Sequence, residues 1–282
     1  MRQQTVAASL AVLFLLVASG AAFAVQIGVM GSSISDEYFE APYNYATNWT
    51  MQLVNHRGVD MGPIGAWGEP RRNGYEYNWA RSGDDTSQVL SHGQHTGLAA
   101  QVGPEGIDYA VYLMPSNDQI AVNPEPYQSI YLGLYSPAQI TTWVNSIVTN
   151  VDTALATVAA TGVKMVLVNP GDYGYTQAVQ SVATDPVGRQ RMADALVELS
   201  GELEDLAAEY EMPFVDLNAS QKAIFGPHAS LNTTLAVGNV DIFLQAWDTP
   251  TGTNPTAALV HDKAHPNTVL QAMTANLVME AL

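Results

Sequence analysis

Gln26-Ile27-Gly28-Val29-Met30-Gly31-Ser32-Ser33-Ile34-Ser35-Asp36 is a short apolar run that passes directly into a Gly-Ser-Ser turn. The residues that follow, Asn44 to His56, place Tyr45, Trp49, Leu53 and Val54 at helical spacing, giving the order strand, turn, helix. The pattern then recurs. Asp108 to Met114 is a second apolar run that ends in a polar turn, Pro115-Ser116-Asn117-Asp118. Pro137 to Ala160 predicts a helix, Lys164 to Asn169 a strand, Asp185 to Tyr210 a helix and Pro213 to Leu217 a strand. Such alternation predicts an α/β fold, a three-layer α/β/α sandwich with a mostly parallel central sheet. Between these elements, Asp60 to Arg72 reads as a Gly- and Pro-rich loop, Tyr75 to Ala80 as a brief strand, and a helix begins at Thr86. Ser230 to Val260 reads as an excursion or small hairpin before a last helix that starts near Pro266.

Met1 to Ala24 carries one arginine, an apolar run from Val6 to Val17 interrupted by Ser9 alone, and the small-residue sequence Ala22-Phe23-Ala24. This is the composition of a secretory signal peptide cleaved after Ala24, and the run is shorter than the roughly 20 residues of a spanning helix. The expected organisation is therefore a signal at 1–24 and one domain at 25–282, secreted to the extracellular space or periplasm, with no membrane span after cleavage. Cysteine is absent, which excludes a disulfide framework, a thiolate metal site and a cysteine nucleophile. The formal charge of −17, with ten Lys and Arg, argues against nucleic acid or an anionic membrane as partner.

The chemistry-bearing residues lie at opposite ends of the chain. The turn at 31–36 offers serine hydroxyls, and Asp262-Lys263-Ala264-His265-Pro266 offers a carboxylate three residues before an imidazole. A serine hydroxyl is a poor nucleophile at neutral pH; it needs an imidazole to take its proton and a carboxylate to hold that imidazole in one tautomer. Ligands of open α/β sheets sit outside the carboxyl ends of the strands, so the turns after Met30 and Met114 are expected to face one crevice.

Four blocks, in order, resemble those of the SGNH hydrolases, the GDSL esterases and lipases, of secreted bacterial type. Gly31-Ser32-Ser33-Ile34-Ser35 resembles the first block, Asn78-Trp79-Ala80-Arg81-Ser82-Gly83 the second, Pro115-Ser116-Asn117-Asp118 the third, and Asp262 to His265 the fourth. The resemblance spans most of the chain after residue 24. It implies the flavodoxin-like SGNH fold, Ser33 as nucleophile, His265 as base and Asp262 as its orienting carboxylate. It also implies an oxyanion hole from the amides of Ser33 and Gly83 and the side chain of Asn117. The implied activity is hydrolysis of carboxylic esters, short-chain acyl or acetylated glycan, with no metal or organic cofactor. Ser32 stands where the family carries aspartate, and Pro115 where it carries glycine. These departures motivate a second reading, a chain that keeps the fold as a glycan-binding or cell-surface protein with impaired turnover.

Trp67, Tyr75, Tyr77 and Trp79 cluster around Glu69-Pro70-Arg71-Arg72. Trp67, Arg71, Arg72 and Trp79 therefore form either a substrate-binding wall for a sugar or acyl group, or ordinary loop packing. Asp84 and Asp85 read as helix-start residues. His92, His95 and His261 lack a third nearby ligand and read as hydrogen-bonding histidines, so no metal site is expected.

Overall fold

The computed structural model describes residues 24–69, 71, 73–120, 124–226, 233–237 and 240–282. The expected signal segment, apart from Ala24, and Arg72 lie outside these residues. In chain order the elements are β1 (Val25–Met30), α1 (Trp49–Arg57), β2 (Val59–Asp60), β3 (Ile64–Ala66), β4 (Asn73–Tyr75), α2 (Thr86–Ser91), α3 (Gln94–Glu105), β5 (Tyr109–Leu113), α4 (Pro124–Tyr131) and α5 (Pro137–Ala159). They continue with β6 (Lys164–Val168), α6 (Gln177–Val182), α7 (Pro186–Glu209), β7 (Phe214–Val215), α8 (Leu217–Phe225), β8 (Thr233–Val237), β9 (Val240–Trp247), β10 (Ala257–Leu259) and α9 (Thr268–Ala281).

The central sheet runs β2-β1-β5-β6-β7 with every pair parallel. Counted along the chain, that is the order 2-1-3-4-5 of flavodoxin-like sheets, whose switch point lies between the first and third strands. Met30 is in register with Tyr112, and Leu113 with Val168, so β1 and β5 end side by side. The turns that follow them open at one place.

Strand side chains alternate between two cores, as a sheet covered on both faces requires. Met30, Ala110, Tyr112, Met165 and Leu167 pack with Leu98 of α3, Ile147 and Val151 of α5 and Leu199 and Leu203 of α7. Ile27, Val29, Val111, Leu113, Val166 and Val168 pack on the other face with Trp49 and Leu53 of α1 and Ala275 and Val278 of α9. Gly28 permits the close approach of α3, because a Cβ at that position would collide with the Leu98 side chain.

Several expectations are revised in detail. The 60–72 loop contains a strand: β3 pairs antiparallel with β4, Ile64 opposite Tyr75. The 75–80 strand reduces to a short pairing with the end of β1, where Val29 donates to the Tyr77 carbonyl at 2.9 Å and receives from Trp79 at 2.8 Å. The 230–260 excursion is a hairpin of β8 and β9 with β10 added parallel to β9. Asn48 caps α1 and shifts its start into the middle of the expected 44–56 span. Among the described residues no helix is long and apolar enough to cross a membrane.

Candidate active site

β1 delivers Gly31 to the switch point, where the chain reverses sharply. A Cβ on Gly31 would sit 2.8 Å from the Leu113 carbonyl oxygen and 2.9 Å from Ser35 Oγ, so only glycine fits between the two strand ends. The amides of Ser35 and Asp36 both donate to the Ser32 carbonyl, at 2.9 and 2.8 Å, which winds the turn helically and lifts Ser33 out of the sheet end. Ser33 remains 8% exposed. Its Oγ lies 2.9 Å from Nε2 of His265, a residue 232 positions away.

The imidazole is set by a turn after β10. The Lys263 amide donates to the Val260 carbonyl at 2.9 Å and the Val260 amide to the His265 carbonyl at 3.0 Å. Lys263 is held at φ +63°, a left-handed conformation uncommon outside glycine. Within this turn one oxygen of Asp262 accepts from the amides of Ala264 and His265, at 2.8 and 3.0 Å, and the other meets His265 Nδ1 at 2.6 Å. Burial acts to raise the pKa of Asp262, but the hydrogen bond and charge of His265 and the two backbone N–H groups outweigh it and hold the group below its ordinary 3.8. Facing an ionised carboxylate, Nδ1 carries the proton and leaves Nε2 as acceptor toward Ser33. The Tyr43 ring stacks on the imidazole, centroids 5.0 Å apart and planes 28° apart, and fixes its tilt.

Ser33 and His265 open onto a cleft of about 420 Å³ lined also by Gly83, Asn117, Ile120, Tyr173, Val179 and Val182. Gly83 has φ +94°, which suits glycine, and among the described residues neither its amide nor that of Ser33 has a hydrogen-bond acceptor. The Asn117 side-chain nitrogen donates to the Asp84 carbonyl at 2.7 Å, which fixes the orientation of the carboxamide in the same cleft.

Polar side chains brace the three turns against each other. Gln94 accepts from the Gly31 amide at 2.9 Å, donates to the Gly31 carbonyl at 3.0 Å and is within 2.8 Å of Asp84 Oδ2. Asp84 also meets His92 Nδ1 at 2.9 Å, and its carbonyl holds Asn117. Asp36 accepts from the Ser82 amide at 2.7 Å. Asp118 accepts from the amide and hydroxyl of Thr86 at 2.9 and 2.8 Å, and burial pushes its carboxyl up to about 6. Of the two expected helix-start aspartates, Asp85 caps α2 in a capping box with Gln88. Asp84 instead turns inward, a correction that follows from His92 and Gln94 offering it buried donors.

The structure brings Ser33, Gly83, Asn117, Asp262 and His265 together. It also brings Trp67, Arg71 and Trp79 together, but on one another: the Arg71 guanidinium lies 4.8 Å from the Trp67 ring centroid and 4.3 Å from that of Trp79. Trp67 Nε1 donates to the Gly74 carbonyl and Trp79 Nε1 to Gln101, and Arg71 donates to the Glu76 carbonyl. None of the three is among the described residues lining the cleft, so the geometry favours loop packing over a substrate wall. Arg81 pairs with Glu69 at 2.7 Å. His261 meets the Tyr45 hydroxyl at 3.1 Å, and burial lowers the basicity of His95. Gln94, Asp36 and Tyr43 were not legible as site residues; each acts through a partner distant in sequence, and Gln94 offers only the weak signal of a polar side chain opening a helix that must bury one face.

No protein-family model matches the chain, and no curated protein matches it in sequence. Solved structures do match. An extracellular lipase from Streptomyces rimosus is similar over 92% of this chain and 100% of its own, with TM-score 0.54 and 15% identity. A point mutant of an acetyl-xylooligosaccharide esterase from Geobacillus is similar over 91% of this chain and 93% of its own, at TM-score 0.50 and 13% identity. A Bacillus subtilis protein is similar over 92% of this chain and 56% of its own, at TM-score 0.50 and 17% identity. The chain therefore shares the α/β fold of these solved structures, a lipase and an esterase among them.

Proposed function

We propose that this chain is a secreted serine esterase that hydrolyses carboxylic esters, short-chain acyl or acetylated glycan, through Ser33, His265 and Asp262. The observation that carries the reading is the unbroken relay from Ser33 Oγ to His265 Nε2 at 2.9 Å and from His265 Nδ1 to Asp262 at 2.6 Å, at the mouth of a cleft. His265 takes the Ser33 proton as Oγ attacks the ester carbonyl, and Asp262 stabilises the imidazolium. The amides of Ser33 and Gly83 and the side chain of Asn117 receive the developing oxyanion. Preorganised donors of this kind each contribute roughly 2.7 to 4 kcal/mol to the transition state. The alcohol departs with the proton held by His265, leaving an acyl-Ser33. Water then attacks the acyl carbon, gives a proton to His265, and releases the acid and the free Ser33 hydroxyl.

Ser32 and Pro115 do not disturb these contacts. The Ser32 carbonyl winds the turn, and the side chain of Asn117 still reaches the cleft. The test is hydrolysis of p-nitrophenyl acetate by the mature chain beside folded Ser33→Ala and His265→Ala variants, with fluorophosphonate labelling. Turnover lost in both variants, and label carried by Ser33, are expected. A native chain with neither turnover nor label would favour the glycan-binding reading instead.

A further inference from the structure

Behind the catalytic cleft lies a second, more enclosed space. It is a cavity of about 60 Å³ walled by Ile34, Leu113, Leu259, Leu270, Met273 and Leu277, among others. On this scale roughly 10–15 Å³ accommodates one water, so the space is more than a packing defect; its wall is mainly apolar, with Asp172, Ser220, Gln221 and Thr274 among its polar members. It lies directly beneath the reacting groups: Ile34 follows the nucleophile, and the cavity residues Ala264 and Pro266 flank His265. Ser116, Tyr173, Thr176 and Ala264 line both spaces and therefore form the wall between them. Tyr173 is by far the largest of the four. Its hydroxyl lies near the side chain of Ser116, in the turn after β5 that also carries Asn117.

We propose that Tyr173 is the specificity-determining stop of the acyl subsite. It ends the cleft after a short acyl group and closes off a mainly apolar cavity that would otherwise receive the tail of a medium-length fatty acyl chain. The inference rests on the esterase reading and adds to it the acyl side of the substrate. The cleft has apolar lining from Ile120, Val179 and Val182. A chain anchored as acyl-Ser33 and directed along this lining meets the Tyr173 ring before it reaches Leu270 and Met273. Discrimination in an apolar subsite comes from whether methylenes find room, at about tenfold or more for each one gained or refused.

The experiment compares kcat/KM for p-nitrophenyl acetate, butyrate and octanoate in the native chain, Tyr173→Phe, Tyr173→Ala and the milder Tyr173→Leu. Sodium octanoate binding to the same Tyr173 substitutions made in Ser33→Ala is measured by calorimetry. The expected result is an octanoate-to-acetate ratio raised at least about tenfold in Tyr173→Ala, raised less in Tyr173→Leu, and unchanged in Tyr173→Phe, which keeps the ring. Adding Leu270→Phe, which fills the cavity without touching the cleft, should reverse the gain. A ratio that stays flat in both Tyr173→Ala and Tyr173→Leu while acetate is still hydrolysed overturns the stop. Should the native chain hydrolyse no ester, the esterase reading fails on its own. Octanoate binding then decides the cavity: binding gained on truncating Tyr173 upholds an opened apolar site, and none gained overturns it.

Discussion

Asn117 shows how much one side chain is asked to do. Its carboxamide is held by the Asp84 carbonyl at 2.7 Å, so in the proposed oxyanion hole it is oriented before substrate arrives and needs no reorganisation when charge develops. Asn117→Ala is expected to lower kcat by about 10²–10³-fold with little change in KM, because the interaction strengthens only as the oxyanion forms. Steady-state kinetics on a short ester reads both numbers; an equal rise in KM with kcat intact would assign Asn117 to ground-state binding. The residue was legible because it sits in a turn directly after an apolar strand. Tyr43 was not, since nothing near it in sequence shows that its ring will cover an imidazole more than two hundred residues later.

At the scale of elements, the start of α1 doubles as a fastener for the turn that carries Ser33. Asn48, fully buried, accepts from the Met51 amide as the cap of α1 and donates from its other end to the carbonyls of Ile34 and Asp36, at 3.3 and 3.0 Å. Asn48→Ala removes the cap and leaves two buried carbonyls without that donor, a loss of about 2–4 kcal/mol in urea unfolding. Asn48→Asp keeps the capping oxygen but not the donor. It should cost less stability than Asn48→Ala if the cap dominates and as much if the turn does. The long helices α5 and α7 were readable to within a residue or so because their apolar faces are periodic and Pro137 and Pro186 sit in their first turns. The short α4, α6 and α8 escaped detection, having too few turns to display a period.

For the whole molecule, the informative quantity is how stability follows pH. Burial raises the Glu37 carboxyl from 4.5 to about 7, although the Tyr75 amide and Asn78 partly stabilise its charge. The folded chain thus keeps a proton that the unfolded chain has already released between pH 4.5 and 7. Stability contributed by this group is present below 4.5 and is lost as pH rises to about 7, on the order of 3 kcal/mol. Asp118, raised to about 6, works in the same sense, whereas Asp262, lowered, gives stability that disappears only as pH falls below 3.8. Urea midpoints should therefore decline from pH 4.5 to 7.5, and Glu37→Gln should flatten part of that decline; an identical slope in the variant would remove Glu37 from the account. The sequence by itself determined the three-layer α/β/α architecture, because strand and helix periodicity and turn composition are local properties, and the resemblance of its four blocks to the SGNH hydrolases supplied the candidates Ser33, Gly83, Asn117, Asp262 and His265. Only the tertiary structure decided that Arg71 lies between Trp67 and Trp79 instead of on the cleft, that Asp84 and Gln94 brace the turns that carry Gly31 and Asn117, and that Tyr173 lines both cleft and cavity. Those outcomes depend on which buried polar group finds a partner and which ring fills which space, and both are settled by residues that meet only when the sheet is closed by helices on its two faces.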